Sequence, residues 1–325
     1  MIRRKSMDVI VSFINSLPGA FGQGLAWGIM AIGVYITYRI LDIADLTVDG
    51  SLATGGAVAA ICISLGMNPW LAVLLAILAG MLAGLATGIF HTMCGIPAIL
   101  SGILTQLALY SLNLRIMAIG SEANTKATVA LSVDNQDLLL SSRFVRSLEL
   151  SRNLEEINPI FLLLIIMALL IGGLYWFFGT ELGCSLRATG ANQNMARAQG
   201  INTDSGKVLA LVLSNGLVAL SGALLAQYQG SATVDMGRGA IVIGLAAVII
   251  GEVVFKKFSN FAAKMVSVTL GAIIYYVVIT LVLRLGLEST DLKLLTALVV
   301  AAFLTVPYLT GKRHAKLKKG VARRA

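Results

Sequence analysis

The sequence predicts an all-α integral membrane protein with about nine transmembrane helices. Of its 325 residues, 57% are hydrophobic and only 13% are charged, and the mean hydropathy is +0.86. A soluble domain carries about 25% charged residues, so this chain has too few charges to solvate a folded surface in water. Its 33 glycines suit helices that pack backbone to backbone within lipid.

Nine apolar stretches are long enough to cross the hydrocarbon core, which requires about 20 residues per helix. They cover residues 20–38, 49–66, 70–90, 97–118, 159–178, 207–229, 239–255, 262–284 and 292–309. A shorter segment at 7–17 is too polar to span, so residues 1–19 are expected to contain an interfacial helix. The transmembrane domain is predicted to extend over residues 20–311.

The basic tail at residues 312–325 sets the predicted orientation. It holds seven Lys or Arg residues and no acid, which places it in the cytoplasm by the positive-inside rule. Such a tail favours contact with anionic lipid headgroups over contact with nucleic acid. Counting back from it puts the loop at 179–207 and Arg39 in the cytoplasm, and the polar loop at 119–158 outside.

Two parts of the predicted topology, the N-terminus and the loop at 119–158, allow more than one interpretation. The count places the N-terminus outside, although Arg3, Arg4 and Lys5 favour the cytoplasm. Either the N-terminal helix lies outside, or one of the segments is re-entrant. The external loop at 119–158 is expected to carry a short helix near 135–150, because long structureless loops are uncommon. It is either a solvated cap or a docking surface for an external partner.

The cytoplasmic loop at 179–207 is much longer than chain reversal requires, since about four to six residues suffice. Its core at 186–199 has the composition of a helix. Gly183, Gly190 and Gly200 are expected to break it into short rigid pieces. Such an element could transmit a push from a soluble partner into the spans, or it could be an ordinary interfacial helix.

A family resemblance is carried by this loop and three further segments. The pattern LGxxLRAxGxNxxMAxxxGI, from Leu182 to Ile201, resembles the coupling loop of ABC-importer permeases of the branched-chain amino acid and ribose-type family. Similar to the same family are ADLTVDGSLATGGAVAA, SNGLVALSGALLAQYQGSATVDMGRG and GLAAVIIGE, which begin at Ala44, Ser214 and Gly244. The wording is most similar to the subgroup of tryptophan/tyrosine uptake permeases.

The resemblance implies a transport subunit of the bacterial inner membrane that works by alternating access. It implies a homodimer of this chain, two cytoplasmic ABC ATPase subunits and an extracytoplasmic solute-binding protein, with an aromatic amino acid as the expected solute. The residues that it assigns to coupling with the ATPase are Leu186, Arg187, Gly190, Asn192, Met195 and Gly200. The chain contains no G-x-x-x-x-G-K-[ST] motif of its own, so ATP hydrolysis would occur in the partner.

Polar residues within the spans give candidates for the solute path. Gln106 and Asn215 are expected to line a cavity, and Asp45 and Asp49 either cap a helix at the cytoplasmic edge or contribute to an inner gate. Other mid-span polar residues are expected to form interhelical hydrogen bonds. They include Ser101, Thr105, Asn113 and Ser214.

An internal similarity predicts an inverted repeat. DLTVDGSLATGGAVAA, from Asp45 to Ala60, resembles ATVDMGRGAIVIGLAAVI, from Ala232 to Ile249, and each opens a helix with an acid near its start. The preceding helices run in opposite directions in the predicted topology, as an inverted repeat requires. A chance similarity is the alternative.

No residues form a predicted catalytic, metal or cofactor site. His91 and His314 are the only histidines, and no Cys, His and carboxylate cluster has metal-ligand spacing. The rival function is a secondary transporter driven by an ion gradient. That mechanism needs a titratable residue at mid-membrane depth, whereas the acids of this chain lie at predicted helix ends.

Overall fold

The structure is a computed structural model that describes residues 2–121, 124–131, 140, 158–256 and 260–284, with 294, 297–298, 300–302 and 305. Its helices are α1 (Ile2–Tyr35), α2 (Thr47–Ser64), α3 (Pro69–Thr92), α4 (Ala98–Ile116), α5 (Asn158–Gly179), α6 (Glu181–Ala191), α7 (Gln193–Ala198), α8 (Thr203–Gln229), α9 (Ala240–Val254) and α10 (Phe261–Arg284). A π-helical turn (Ile36–Ile40) extends α1, and a 3-10 turn (Val234–Gly237) precedes α9. Strands β1 (Thr128–Ala130) and β2 (Ser231–Thr233) form a two-stranded sheet.

Eight helices among the described residues are long and apolar enough to span a membrane. They confirm the first eight predicted spans. The ends differ by at most four residues, except that α1 begins at Ile2 and not at residue 20. The predicted span at 292–309 lies largely outside the described residues, as do the basic tail and the helix expected at 135–150. The predicted interfacial segment and the first span form one continuous helix, α1.

Helix α8 forms the centre of the bundle and runs antiparallel to α1. The Ser214 hydroxyl donates to the Gly33 carbonyl at 2.8 Å, and the Ser221 hydroxyl donates to the Ala26 carbonyl at 2.8 Å. As the α8 residue number rises, its α1 partner number falls, which is the register of two antiparallel helices.

Glycines allow α2 and α3 to pack directly on the α8 backbone. A Cβ on Gly55 of α2 would overlap the Ala219 carbonyl, and a Cβ on Gly222 of α8 would overlap the Leu52 carbonyl. Gly84 of α3 meets the Leu211 carbonyl in the same way. Small residues at these positions favour close helix association in lipid, where burial of apolar surface gives little drive.

The packing order supports the predicted inverted repeat. Helix α3 packs along α8 as α10 packs along α1, and α2 contacts α3 as α9 contacts α10. Exchanging the α1–α2–α3 unit with the α8–α9–α10 unit therefore reproduces the arrangement. The two segments with internal similarity fall on equivalent elements, the α2 region and the α9 region.

Helix α2 begins half-way along α8. Asn215, which is 12 residues from Thr203 and 14 from Gln229, donates to the Asp45 carboxylate. The connection at 41–46 thus returns from the end of α1 to the middle of the bundle, with Asp42 in the left-handed region at φ 57°. Asp45 therefore lies beside the middle of α8 and not beside its start.

The two ends of the bundle carry different connecting segments. Gly190 of the 179–207 loop packs on Ile40, and Arg39 pairs with Glu252 of α9 at 2.8 Å, so these elements share one end. At the other end β1 and β2 pair antiparallel, with Thr128 opposite Thr233. Residues after α4 therefore meet residues after α8, away from the loop at 179–207.

Candidate coupling surface and solute cavity

Three side-chain caps define the short helices of the 179–207 loop. Thr180 caps α6, Asn192 caps α7 through the Met195 amide, and Asn202 caps α8 through the amides of Asp204 and Ser205. Each cap satisfies an amide at the start of a helix that has no partner within the helix. The chain therefore changes direction at Asn192.

The predicted glycine breaks are only partly correct. Gly183 and Gly190 lie inside α6, and the break after α6 falls at Asn192, which has φ −161° and ψ 103°. Gly200 does end the second piece, with φ +79° after α7. Gly183 and Gly190 serve close packing instead, because a Cβ on either would overlap a backbone carbonyl, that of Phe177 or Ile40.

The inner face of α6 is anchored on the membrane helices. Leu186 is 1% exposed and belongs to the main hydrophobic core, and Thr189 is also buried. Gly190 brings the α6 backbone against the carbonyl of Ile40, in the π-helical turn that ends α1. Turns of this kind often lie at functional sites.

The outer side of α6 and α7 is exposed and mixed in character. Leu182 and Met195 are 61% and 64% exposed, and Arg187 and Asn192 are exposed as well. Of the six predicted coupling residues, Leu186 and Gly190 therefore face the bundle. The other four lie on the outside of the loop: Arg187, Asn192, Met195 and Gly200.

Helix α7 is tied to the start of α8 by Arg197. Its Nε donates to Thr203 Oγ1 at 2.7 Å, and its guanidinium contacts the Asp204 carboxylate at 3.1 Å. Lys207 lies 3.7 Å from the same carboxylate and is itself buried. The loop thus contacts α1 through α6 and the central helix α8 through α7.

A cavity of about 910 Å³ lies beside α6 and the ends of α1, α5 and α10. Its lining includes Arg39, Trp176, Arg187 and Lys264. Gly190 also lines this cavity, so the cavity begins beside the contact between α6 and the end of α1.

Two of the four predicted path residues form a buried network. Asn215 Nδ2 donates to Asp45 Oδ2 at 2.7 Å, and the Ser51 hydroxyl donates to Asn215 Oδ1 at 2.6 Å. Asp45 Oδ1 accepts from the Thr47 amide at 2.9 Å. All of these residues are at most 3% exposed, so Asp45 and Asn215 join α2 to α8 in this conformation.

Asp49 instead caps the start of α9. Its carboxylate accepts from the Gly239 and Ile241 amides, each at 2.9 Å. A carboxylate is favourable there because the first amides of α9 are unpaired within the helix. A cap was expected, but on α2 and not on α9. A Cβ on Gly237 would overlap the Asp49 carbonyl, so the two similar segments meet at this point.

A second cavity, of about 330 Å³, lies beside Asp49 between α2, α4 and the turn before α9. Gln106 is one of its lining residues. Arg238, which pairs with Asp235 at 2.9 Å, lies over the Tyr110 ring with 5.8 Å between guanidinium carbon and ring centroid. The complete lining is Asp49, Gly50, Ala53, Gln106, Leu107, Tyr110, Asn113, Val234 and Arg238.

Sequence reasoning missed Arg238 and Tyr110 as cavity residues and expected Asn113 to bond a neighbouring helix. Such interhelical bonds are confirmed for Thr105, which accepts from Thr87 at 2.9 Å, and for Ser214. Ser101 bonds its own helix start. Arg238 could have been recognised as a candidate from sequence, because it is a cation between two glycines in the turn that joins two apolar spans.

Comparison with known proteins identifies the class. Residues 17–305 match the family model described as the branched-chain amino acid transport system permease component. The chain belongs to this family. It is the permease component of an ABC transporter, a multi-pass protein of the bacterial inner membrane.

Individual relatives of this permease differ in their named solutes. It is 41% identical over 306 residues to a tyrosine transport system permease protein of Clostridioides difficile, covering 94% of this chain and 95% of the relative. It is 26% identical to the ribose import permease of Escherichia coli K12, covering 80% and 75%.

Among solved structures, one similar chain comes from a metal-chelate type ABC transporter in an inward-facing conformation. The identity is 15%, the TM-score is 0.49, and the match covers 94% of the permease and 97% of that chain. With such a score, the likeness supports no further conclusion.

Proposed function

We propose that this permease is the membrane subunit of an ATP-driven importer that moves an aromatic amino acid by alternating access. Two ABC ATPase subunits would dock on the loop at 179–207 of a permease homodimer, and an extracytoplasmic protein would deliver the solute. The similarity to a tyrosine permease over nearly the whole chain supports the solute class. Imported substrate would pass the second cavity, which Asp49 and Gln106 line.

The observation that carries the coupling role is the two-sided α6–α7 unit. Its inner contacts, at Leu186 and Gly190, reach the end of α1, and Arg197 reaches the start of α8. Its outer side presents Arg187 and Met195 to a partner. A displacement of this unit would therefore act on α1 and α8 together. These are the first helices of the two repeats, and they pack antiparallel at the centre of the bundle.

Asp45 and Asn215 would take part in the same transition. Their hydrogen bonds join the start of α2 to the middle of α8. A relative movement of α1 and α8 would strain the connection at 41–46, to which Asp45 belongs. The network would then hold one of the alternating states.

Coupling is tested by Arg187→Ala and Ala191→Pro in the complete transporter, reconstituted in proteoliposomes. Both variants are expected to reduce solute moved per ATP hydrolysed about tenfold or more. Arg187→Ala removes an exposed charge that the partner would contact, and a proline at the last residue of α6 removes an amide donor and crowds the preceding turn. Arg115→Ala, which removes an exposed charge at the far end of α4, and Ala191→Ser serve as controls. Unchanged uptake per ATP in the test variants would contradict the coupling role.

One observation favours the secondary transporter as a second candidate. Asp45 is a 3% exposed carboxyl group half-way along the bundle, which is the kind of group that a proton-driven mechanism requires. The two functions differ in their energy source. We expect uptake to stop when ATP is withheld and to persist when an ionophore collapses the ion gradients; the reverse result would establish the second candidate.

A further inference from the structure

Asn113 of α4 is a buried amide without a partner. The residue is 1% exposed, and neither its Nδ2 nor its Oδ1 has a hydrogen-bond partner in the structure. Buried side-chain amides are almost always bonded, because desolvation without a partner is costly. This side chain lines the 330 Å³ cavity between α2 and α4, so a molecule in the cavity could reach it.

The second buried asparagine of the spans shows what a structural role looks like. Asn215 is equally buried, yet its nitrogen donates to Asp45 and to the Leu211 carbonyl, and its oxygen accepts from Ser51. Its hydrogen-bonding groups are thus occupied by the fold itself. The described part of the chain supplies no partner for the Asn113 amide, so its nitrogen and oxygen can bond a molecule bound in the cavity.

The cavity lining carries both signs of charge, and its guanidinium, Arg238, also pairs with the exposed Asp235 outside the lining. Asp49 and Arg238 are its charged lining residues, and Gln106 adds a second amide. A lining that offers both a carboxylate and a guanidinium suits a solute that carries both charges itself. The remaining wall is largely apolar, with Leu107, Tyr110 and Val234.

We infer that this cavity binds the zwitterionic backbone of an amino acid, and that Asn113 is a solute-contacting residue that determines specificity. The inference rests on the proposed import function and names the groups that recognise the solute. The Asn113 amide donates to the solute carboxylate beside Arg238, and its oxygen accepts from the solute ammonium group beside Asp49. The Tyr110 side offers an apolar surface to the solute side chain.

Binding is measured by thermal unfolding of the purified full-length permease in detergent. The probes are L-phenylalanine, phenethylamine, which lacks the carboxylate, 3-phenylpropionate, which lacks the ammonium group, and ribose. We expect the unfolding temperature to rise with phenylalanine concentration by mass action and to change little with the other three. No shift with phenylalanine, or a larger shift with ribose, would overturn the inference.

Asn113→Leu separates recognition from folding. It should weaken phenylalanine binding about tenfold or more, because a hydrogen bond to a charged group is lost. Without solute, the variant should unfold at the same or a higher temperature, since it removes a buried amide that has no partner. A wild-type affinity in this variant would sink the proposal, and so would a fall in its solute-free unfolding temperature.

Asn215→Leu is the matched control. It should lower the solute-free unfolding temperature, because Asp45 and Ser51 lose their shared partner. A rise like that expected for Asn113→Leu would overturn the contrast between the two asparagines. The binding measurement uses no ATPase, so its failure leaves the ATP-coupling test untouched, and loss of ATP coupling leaves the binding result standing.

Discussion

At the scale of single residues, the start points of α2 and α9 depend on two aspartates. Asp45 bonds the Thr47 amide and Asn215, which fixes the start of α2 against the middle of α8. Asp49 accepts from the Gly239 and Ile241 amides, which fixes the start of α9 beside α2. Carboxylates at this depth are costly in lipid. Each is surrounded by protein donors that replace water.

The first prediction concerns the Asp49 cap. Asp49→Ala should destabilise the permease by about 1–2 kcal/mol, because two amides at the start of α9 lose their acceptor. The change is measured as the shift in unfolding midpoint of the purified protein. Asp235→Ala, which removes an acid that is 61% exposed, should cost less than about 1 kcal/mol. Equal losses in the two variants would contradict the capping role.

At the scale of elements, α6 depends on a position where only glycine fits. The Gly190 backbone packs on the Ile40 carbonyl. Leu186, one turn earlier on the same face, is buried in the core. The helix therefore sits against the π-helical end of α1 by shape and by an apolar anchor. That arrangement makes α6 sensitive to added volume on this face.

The second prediction is that Gly190→Val displaces α6 from its contact with the end of α1. A side chain at this site should cost about 1–3 kcal/mol through overpacking, and uptake per ATP should fall further than protein stability. Gly173→Val on α5 is the control, because nothing lies within 4 Å of a Cβ at that glycine. If uptake per ATP in Gly190→Val matches that of this control, the contact between α6 and α1 has no role in coupling.

The spans themselves could be predicted closely from sequence, whereas their starting depths could not. Apolar runs of spanning length are a local property, and α3, α5 and α10 begin and end within two residues of the predicted ranges. The depth of α2 depends on Asp45 reaching Asn215, which is 170 positions away in the chain. Likewise, no local pattern distinguishes Gly190, which fits against Ile40, from a glycine that breaks a helix.

At the scale of the whole molecule, the inverted packing of the two repeats places the functional regions. The α6–α7 unit contacts the ends of α1 and α8 at one end of the bundle, and the β1–β2 sheet closes the other end. The cavity with Asn113 lies between them, beside the two helix starts. Under the proposed function, a push on the α6–α7 unit would reach α8 directly and the cavity through α2, which packs on α8.

The third prediction assigns these ends to the two sides of the membrane. Met195→Cys and Thr125→Cys are made singly in a background whose three cysteines, Cys62, Cys94 and Cys184, are replaced by serine. In intact spheroplasts, a membrane-impermeant maleimide should label the cysteine at 125 and not the one at 195. Inside-out vesicles should give the opposite pattern. Labelling of position 195 from outside would reverse the predicted orientation.

The sequence by itself determined the class of this protein, the extents of the spans and the existence of an oversized loop. These properties follow from composition, run length and charge, which are carried by neighbouring residues. Tertiary structure decided which face of α6 is anchored, where α2 and α9 begin, and which asparagine has a partner. Asn113 and Asn215 have the same side chain and lie in similar apolar spans. Only the positions of Asp45, Ser51 and the cavity distinguish them, because hydrogen bonding depends on what the fold brings within about 3 Å.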